Sequence, residues 1–306
     1  MAGRHIGKAT NMGSRLRSCI LQPRRSTALL CLLAVLLLLP TGAARAAPDP
    51  LYPWHEGRVA EADTLAGRIA PPPGFRRIAA EPGSFGQWLR GLPMKPAGAP
   101  VLLFNGLPKF WSDAAFAVLD IDVGDKDLQQ CADAIMRLRA EYLRAVDRSG
   151  EIAFDFTNGG RVDFARWARG ERPVPRSSGV SWKRGGRKDA SYASFRLYLE
   201  RIYAYAGTYS LDRELRSVPL AGIRIGDVFI KGGFPGHAVL VADMVENAAT
   251  GERRFLLIQS FMPAQDMHVL RNPAEQDGTP WYRAAFEGPL ETPEWTFPAG
   301  SLKRWP

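Results

Sequence analysis

The longest regular pattern of apolar residues in the chain predicts a core-packed helix from Leu128 to about Val146. Apolar side chains recur there at spacings of three and four, the period of one face of a helix. Asp127, followed three residues later by Gln130, resembles a capping box and marks the predicted start. The stripe consists of Leu128, Cys131, Ile135, Leu138 and Tyr142. The strongest predicted helix therefore carries a cysteine in its first turn.

Short apolar runs bounded by turn residues predict strands on both sides of this helix. The clearest pair is a hairpin, in which Val239–Met244 and Phe255–Ser260 flank a turn of about 246–252. An apolar strand after Gly226-Asp227 leads into it, and His237 heads its first strand. Helices and strands together predict an α+β fold. Further strands are predicted at 101–104, 117–123 and 152–156, and further helices at 59–69, 84–92, 162–169 and 191–206.

Residues 1–46 have the composition of a secretory signal peptide. A basic leader precedes an apolar run over residues 28–39, and Ala44-Arg45-Ala46 is a small-x-small cleavage site. The apolar run is too short to span a bilayer as a helix of the mature chain, and no later run is long enough. We therefore predict an exported, periplasmic protein without a stable membrane span after cleavage.

Cleavage of this leader changes the charge balance. The chain has 40 Lys and Arg against 31 Asp and Glu, but seven basic residues and no acid lie in residues 1–46, which leaves 33 against 31. The high isoelectric point therefore belongs largely to the leader, and we predict no nucleic-acid partner.

The mature chain is predicted to form one domain. Residues 47–75 contain Pro71-Pro72-Pro73 and are predicted to be an N-terminal tether. Residues 76–306 are predicted to be a single α+β domain of catalytic type. Within it, residues 171–190 are polar and rich in Pro, Gly and Ser, which predicts a mobile surface loop.

Cys131 is the one thiol left after removal of the leader, because Cys19 and Cys31 lie within it. In an oxidising compartment a lone thiol is either buried and inert or retained for its reactivity. At a helix start, free N–H groups and the helix dipole lower a thiol pKa, and the same N–H groups can bind an oxyanion. Gln130 or Gln129 could add a side-chain donor.

His237 has two candidate orienting partners on the neighbouring strand. If the hairpin turn is centred near Ala248-Ala249, His237 faces Ser260, and Ala238 faces Gln259. A side-chain oxygen that accepts one imidazole N–H fixes the tautomer and leaves the other nitrogen free as a base. The alternative interpretation is that Gln259 and Ser260 are ordinary polar residues at a strand end, and that Cys131 is an inert residue of the apolar stripe.

The segments that contain these residues resemble two known families. Gly226-Asp227-Val228-Phe229 and the segment 236–241 resemble the second half of the NlpC/P60 and CHAP amidases and endopeptidases of the papain-like superfamily. Segments 127–133, 137–142, 234–238 and 259–265 resemble an exported bacterial family, domain of unknown function 4846, which names no reaction. The first resemblance implies a papain-like fold, with an antiparallel sheet packed on the cysteine-bearing helix.

Together these features predict a papain-like thiol hydrolase that cleaves an amide bond in a peptide or a peptidoglycan-type substrate. Cys131 attacks, His237 transfers the proton, Gln259 or Ser260 orients the ring, and the Cys131 N–H with Gln130 holds the oxyanion. The alternatives are a non-catalytic envelope binding module on the same fold and an acyl or peptidyl transferase that uses the same residues. No cofactor or metal is predicted, because the candidate ligands, His237, His268, Asp243 and Asp266, have no recognisable spacing.

Overall fold

The structure is a computed structural model that describes residues 49–111 and 113–306. The predicted signal peptide lies outside these residues. The helices are α1 (Leu65–Arg68), α2 (Phe85–Arg90), α3 (Cys131–Ala145), α4 (Phe164–Ala168), α5 (Tyr192–Tyr203) and α6 (Thr208–Glu214), with 3₁₀ turns at Glu61–Asp63, Ser149–Glu151 and Leu220–Gly222. None of the helices in the described part of the chain has the length and apolar character needed to cross a membrane.

Fifteen short strands accompany these helices in the described residues. They are β1 (Phe75–Arg77), β2 (Ala115–Val118), β3 (Ala153–Asp155), β4 (Arg161–Asp163), β5 (Glu171–Pro175), β6 (Val180–Arg184), β7 (Arg216–Ser217), β8 (Val228–Lys231), β9 (His237–Asn247), β10 (Arg253–Gln259), β11 (His268–Leu270), β12 (Tyr282–Arg283), β13 (Leu290–Glu291), β14 (Thr296–Phe297) and β15 (Leu302–Arg304). Nine of them form one antiparallel sheet in the order β2-β11-β10-β9-β8-β15-β7, with β1 paired to β9 and β12 to β10. The α+β class with an antiparallel sheet is confirmed.

The central strand β9 separates two apolar cores. Ala238 and Leu240 belong to the core that contains α3, whereas Val239 and Val241 belong to a second core formed with β10 and the C-terminal strands. Because successive side chains of a strand point to opposite faces, a strand covered on both sides reads as a continuous apolar run. This explains why nearly all of β9 is buried.

Helix α3 starts one turn later than predicted, at Cys131 instead of Leu128. Gln130 is the residue at its N-cap, and its backbone N–H donates to Asp133 Oδ2 at 3.1 Å. The predicted cap, Asp127, does not cap the helix and instead accepts the backbone N–H of Ala264 at 2.6 Å. A carboxylate in a turn can accept a hydrogen bond from the helix N–H groups or from a neighbouring segment. Here the donor comes from the nearby 260–266 segment. Cys131 is therefore the first helical residue.

Two predicted irregular segments are structured. From Tyr52 onward the predicted tether contributes buried side chains to the core, including Leu65 and Ile69, because its short apolar positions find partners on α2 and the sheet. The predicted loop at 171–190 contains the β5–β6 hairpin, in which Pro173 pairs with Trp182. Its glycines lie at the turn and on the flank of this hairpin, whereas Pro173 and Pro175 lie within β5. Conversely, the predicted strand at 101–104 makes only isolated bridges.

Candidate active site

Cys131 and His237 line the same cleft, whose volume is about 230 Å³. Four parts of the chain form it: the start of α3, the junction of α5 and α6, the β8–β9 loop and the segment after β10. Trp295 completes the lining. The cysteine helix and the histidine strand, predicted separately, therefore meet at one cavity.

Helix α3 packs against β9, and this contact places the Cys131 thiol beside the backbone of Ala238. Burial, followed by the charge of Asp133, raises the pKa of the Cys131 thiol to about 12, although the N–H groups of Ala132, Ala238 and Cys131 itself oppose the rise. The predicted lowering of this pKa is wrong, because desolvation outweighs the helix start. At neutral pH the thiol is protonated.

Asp133 is a buried carboxyl group in the same cleft that the sequence pattern did not single out. Its Oδ2 accepts the N–H of Gln130, while Oδ1 has no hydrogen-bond partner among the described residues. Burial raises the pKa of Asp133 to about 8. Much of it is therefore neutral at pH 7, and its charge acts on Cys131 only at higher pH. The hydroxyl of Tyr203, also in the cleft lining, is likewise without a partner in the described residues.

His237 is buried at the head of β9, and its ring has a defined hydrogen-bond partner. Nε2 lies 3.0 Å from Gln259 Oε1. Because an amide oxygen only accepts, Nε2 carries the proton and Nδ1 keeps the lone pair. Burial lowers the pKa of His237 to about 4, against the opposing effects of the Gln259 hydrogen bond and the Glu294 charge. The imidazole is neutral at pH 7.

A glycine shapes the loop that presents this histidine. A Cβ on Gly236 would lie 2.4 Å from both the carbonyl oxygen of Gly233 and the hydroxyl of Thr208. Thr208 also donates a hydrogen bond to Gly233 O at 3.1 Å, so the loop packs closely on the start of α6. Only glycine permits this approach immediately before His237.

The two candidate orienting residues have different positions. The hairpin register is shifted from the predicted one by an irregularity at Leu256/Leu257, and its last pair is Ile258 opposite Leu240. Gln259 therefore reaches His237 diagonally, on the same face of the sheet. Ser260 donates to Gln265 O at 2.8 Å and to Gln129 O at 3.4 Å, and among the described residues it makes no hydrogen bond with His237.

Gln130, the predicted oxyanion donor, lines the cleft beside Cys131. Its Nε2 donates to Asp127 Oδ1 at 3.0 Å, which holds the side chain at the start of α3. The backbone N–H groups of Cys131 and Ala132 lie in the first helical turn, where no intrahelical acceptor exists. The cleft therefore has hydrogen-bond donors next to the thiol.

Three of the segments that form this cleft also carry the family resemblance, at 127–133, 234–238 and 259–265. A family model described as domain of unknown function (4846) matches residues 65–304. The chain belongs to this family. The match runs from α1 to β15 and so includes the whole sheet and the cleft. No curated protein and no solved structure gives a significant match.

Three further residues of this family member adjoin the site: Glu294 and Lys109, which the sequence did not indicate, and His268, which it indicated as a candidate metal ligand. Gln259 Nε2 donates to Glu294 Oε2 at 2.5 Å and lies 3.2 Å from His268 Nε2. Lys109 Nζ in turn lies 2.5 Å from Glu294 Oε1. His268 begins β11, is fully buried and has hydrogen-bond partners at both ring nitrogens, and burial lowers its pKa to about 4. No local pattern marks these residues, because they come from distant segments.

Metal binding has no evident site in this part of the chain. Across residues 49–111 and 113–306, no group of three or more His, Cys, Asp and Glu side chains is arranged to hold a metal ion.

Proposed function

We propose that this family member is an exported thiol hydrolase that cleaves an amide bond with the pair Cys131 and His237. The observation that carries this proposal is the cleft itself: a thiol on the first residue of a helix and an imidazole with its Nδ1 unprotonated line one cavity. The packing of α3 on an antiparallel sheet supports a papain-like arrangement of the NlpC/P60 and CHAP kind. The leader supports export to the periplasm.

The resting pair is neutral, so the proton moves as the bond forms. The Cys131 sulfur attacks the carbonyl carbon while its proton passes to His237 Nδ1. The N–H of Cys131, with the Gln130 side chain, stabilises the oxyanion. His237 then gives the proton to the leaving amine as the C–N bond breaks, which leaves a thioester on Cys131. Water, deprotonated by His237, hydrolyses the thioester and restores the thiol.

The lining of the cleft favours a peptide substrate with an apolar side chain next to the scissile amide. Phe234 on the β8–β9 loop is 87% exposed, and Met262 after β10 is 62% exposed. Both line the cleft together with Phe261 and Trp295. Exposed apolar side chains at the rim of a cavity can cover a bound apolar group. Cell-wall peptide stems with such a residue remain candidates within this class.

The test uses the leaderless chain, in which Cys131 is the only thiol. A dipeptidyl chloromethyl ketone with apolar side chains should alkylate Cys131 at least about tenfold faster in the unmodified chain than in the His237→Ala variant. The reason is that base catalysis contributes factors of about 100 or more. Mass spectrometry locates the label. Hydrolysis of a fluorogenic peptide-amide panel should disappear in Cys131→Ser.

A matched control is His55→Ala, which removes a partly exposed histidine outside the cleft lining and should leave labelling unchanged. Equal labelling rates in the unmodified chain and His237→Ala would contradict the hydrolase proposal.

A second candidate, a non-catalytic binding module, is favoured by the neutral resting pair. Within the described residues no hydrogen bond joins the thiol to the imidazole, and burial keeps both groups uncharged. This function predicts that Cys131→Ala retains peptide binding, measured by calorimetry, while the unmodified chain hydrolyses no member of the panel.

A further inference from the structure

We propose that Glu294, held by Lys109, is a positioning residue that sets the tautomer of His237 through Gln259, an inference that rests on the thiol hydrolase proposed above. Glu294 lies 35 residues beyond Gln259 in the chain and does not line the cleft. Its hydrogen-bonded connection to the proposed base runs through the intervening amide.

The amide of Gln259 has two unlike ends, and its surroundings distinguish them. Its NH₂ group faces two acceptors, Glu294 Oε2 at 2.5 Å and His268 Nε2 at 3.2 Å. His268 Nε2 is an acceptor because Nδ1, at 2.9 Å from the carbonyl oxygen of Asp266, must carry the ring proton. Both amide hydrogens therefore have a partner.

The reversed amide orientation is excluded by the same contacts. It would direct the Gln259 oxygen at a carboxylate and at a nitrogen lone pair, without a hydrogen between them. Such unpaired contacts between acceptors in a buried site are strongly unfavourable. The carbonyl oxygen consequently faces His237, and His237 must present an Nε2–H to it. Glu294 thus determines which nitrogen of His237 is free to act as a base.

Lys109 holds the carboxylate of Glu294 in place. Its ammonium lies 2.5 Å from Glu294 Oε1, and both side chains are largely buried. The backbone N–H of Lys109 is bonded to Val101 O at 2.8 Å, which anchors the loop. The ammonium also lies 5.6 Å from the ring centroid of Phe261, which packs on His237. The ion pair therefore has a fixed position behind the catalytic ring.

Glu294 also acts on the protonated form of His237. Its negative charge favours the imidazolium, against burial and against the charge of Lys109. The imidazolium is the form that arises when the thiol proton moves to Nδ1. Loss of the carboxylate should therefore disturb both the resting tautomer and the proton transfer.

The first test reads the tautomer directly. In the leaderless chain labelled with ¹⁵N-histidine, long-range ¹H–¹⁵N spectra at pH 7 should show His237 as the Nε2–H tautomer, with the signals assigned by their loss in His237→Ala. Glu294→Gln should give a mixture of tautomers or the Nδ1–H form. Glu294→Asp should restore the original tautomer in part. The matched control is Glu291→Gln, the same chemical change at an exposed site in β13.

The second test reads reactivity. Alkylation of Cys131 by the dipeptidyl chloromethyl ketone should slow by about tenfold in Glu294→Gln, in the inactivation rate constant and not in the inhibitor's binding constant, because the base is misdirected. A structural role alone would lower the melting temperature without moving the tautomer. If Glu294→Gln does not fold, Lys109→Met, which keeps the carboxylate but frees it, should shift both readouts in the same direction.

The outcomes separate this inference from the proposed function. Labelling of Cys131 together with an unchanged His237 tautomer and rate in Glu294→Gln overturns the positioning role and leaves the hydrolase intact. A tautomer change in a chain whose Cys131 never reacts supports the positioning role while the hydrolase fails.

Discussion

At the residue scale, the chemistry of Cys131 depends on opposing effects within one turn of helix. Backbone N–H groups favour the thiolate, but burial and the Asp133 carboxylate favour the thiol and prevail. Asp133 is itself pushed towards its neutral form by burial. The charge next to the Cys131 thiol therefore changes with pH around the Asp133 pKa of about 8.

Replacement of Asp133 by Asn should reveal how the charge of Asp133 affects the pKa of Cys131. Since the pKa of Asp133 is raised to about 8, the carboxylate is charged at pH 9.5 and raises the pKa of Cys131, whereas near pH 6 it is protonated and does not. Iodoacetamide should therefore alkylate Asp133→Asn faster than the unmodified chain at pH 9.5, by about tenfold for each unit of thiol pKa, and equally fast near pH 6.

The asparagine oxygen can still accept the Gln130 N–H, so the helix start is preserved. Asp125→Asn, at an exposed position in the preceding turn, is the matched control. A rate increase of the same size at both pH values would indicate a general opening of the cleft instead of a charge effect.

At the element scale, α3 is held in place by an ionic cluster around the buried Arg137, two turns after Cys131. Arg137 is completely buried and bonds Asp122 Oδ1 at 2.7 Å, Gln129 Oε1 at 2.8 Å and Glu141 Oε1 at 3.4 Å. The contact with Gln129 reaches the turn just before Cys131. The cluster thus joins the middle of α3 to its start.

Arg137→Met should destabilise the fold by about 3–5 kcal/mol, because it leaves the buried Glu141 without its cation. Urea unfolding followed by circular dichroism measures the loss. The double variant Arg137→Met with Glu141→Gln should be more stable than the single variant, since no uncompensated charge remains. A double variant less stable than the single one would contradict this account. Arg148→Met, at an exposed ion pair, should cost no more than about 1 kcal/mol.

Helix α3 and the β9–β10 hairpin were predicted to within a few residues, because period and turn chemistry are local properties. The shift of the hairpin register between Leu256 and Leu257 was not predicted, because one irregularity in a ladder does not change the apolar pattern of the sequence. The sequence left Gln259 and Ser260 as alternative partners of His237, and Gln259 is the partner in the structure because the shifted register places it diagonally on the same face. Ser260 instead donates a hydrogen bond to the backbone carbonyl oxygen of Gln265.

At the scale of the whole molecule, several of the most exposed large apolar side chains of the described residues lie on the cleft or near it. Phe234 and Met262 stand on its rim, and the nearby loop that carries Lys109 exposes Phe110 and Trp111. This loop runs beside the 261–265 segment, since Phe104 N–H bonds Ala264 O. A substrate in the cleft would therefore contact an apolar margin.

Phe234→Ser and Met262→Ser should weaken the binding of an apolar dipeptidyl chloromethyl ketone by about tenfold each, the loss expected for a side chain that buries an apolar contact of about 1.5 kcal/mol. The inhibitor binding constant measures this change. Labelling by an Ala-Ala analogue should change little. The control Leu197→Ser removes an exposed leucine of α5 outside the cleft lining. Equal losses for both inhibitors would show that the rim does not select apolar side chains.

The sequence by itself determined the cysteine at the start of a helix, the histidine at the head of a strand and the glutamine on the next strand, because each follows from local periodicity and turn residues. Only the tertiary structure decided that helix and strand share a cleft, that Glu294 and Lys109 lie in a hydrogen-bonded chain with Gln259, and that burial keeps the Cys131 thiol and the His237 ring uncharged. The reason is physical: proximity between distant segments and removal of water arise only when the chain is packed.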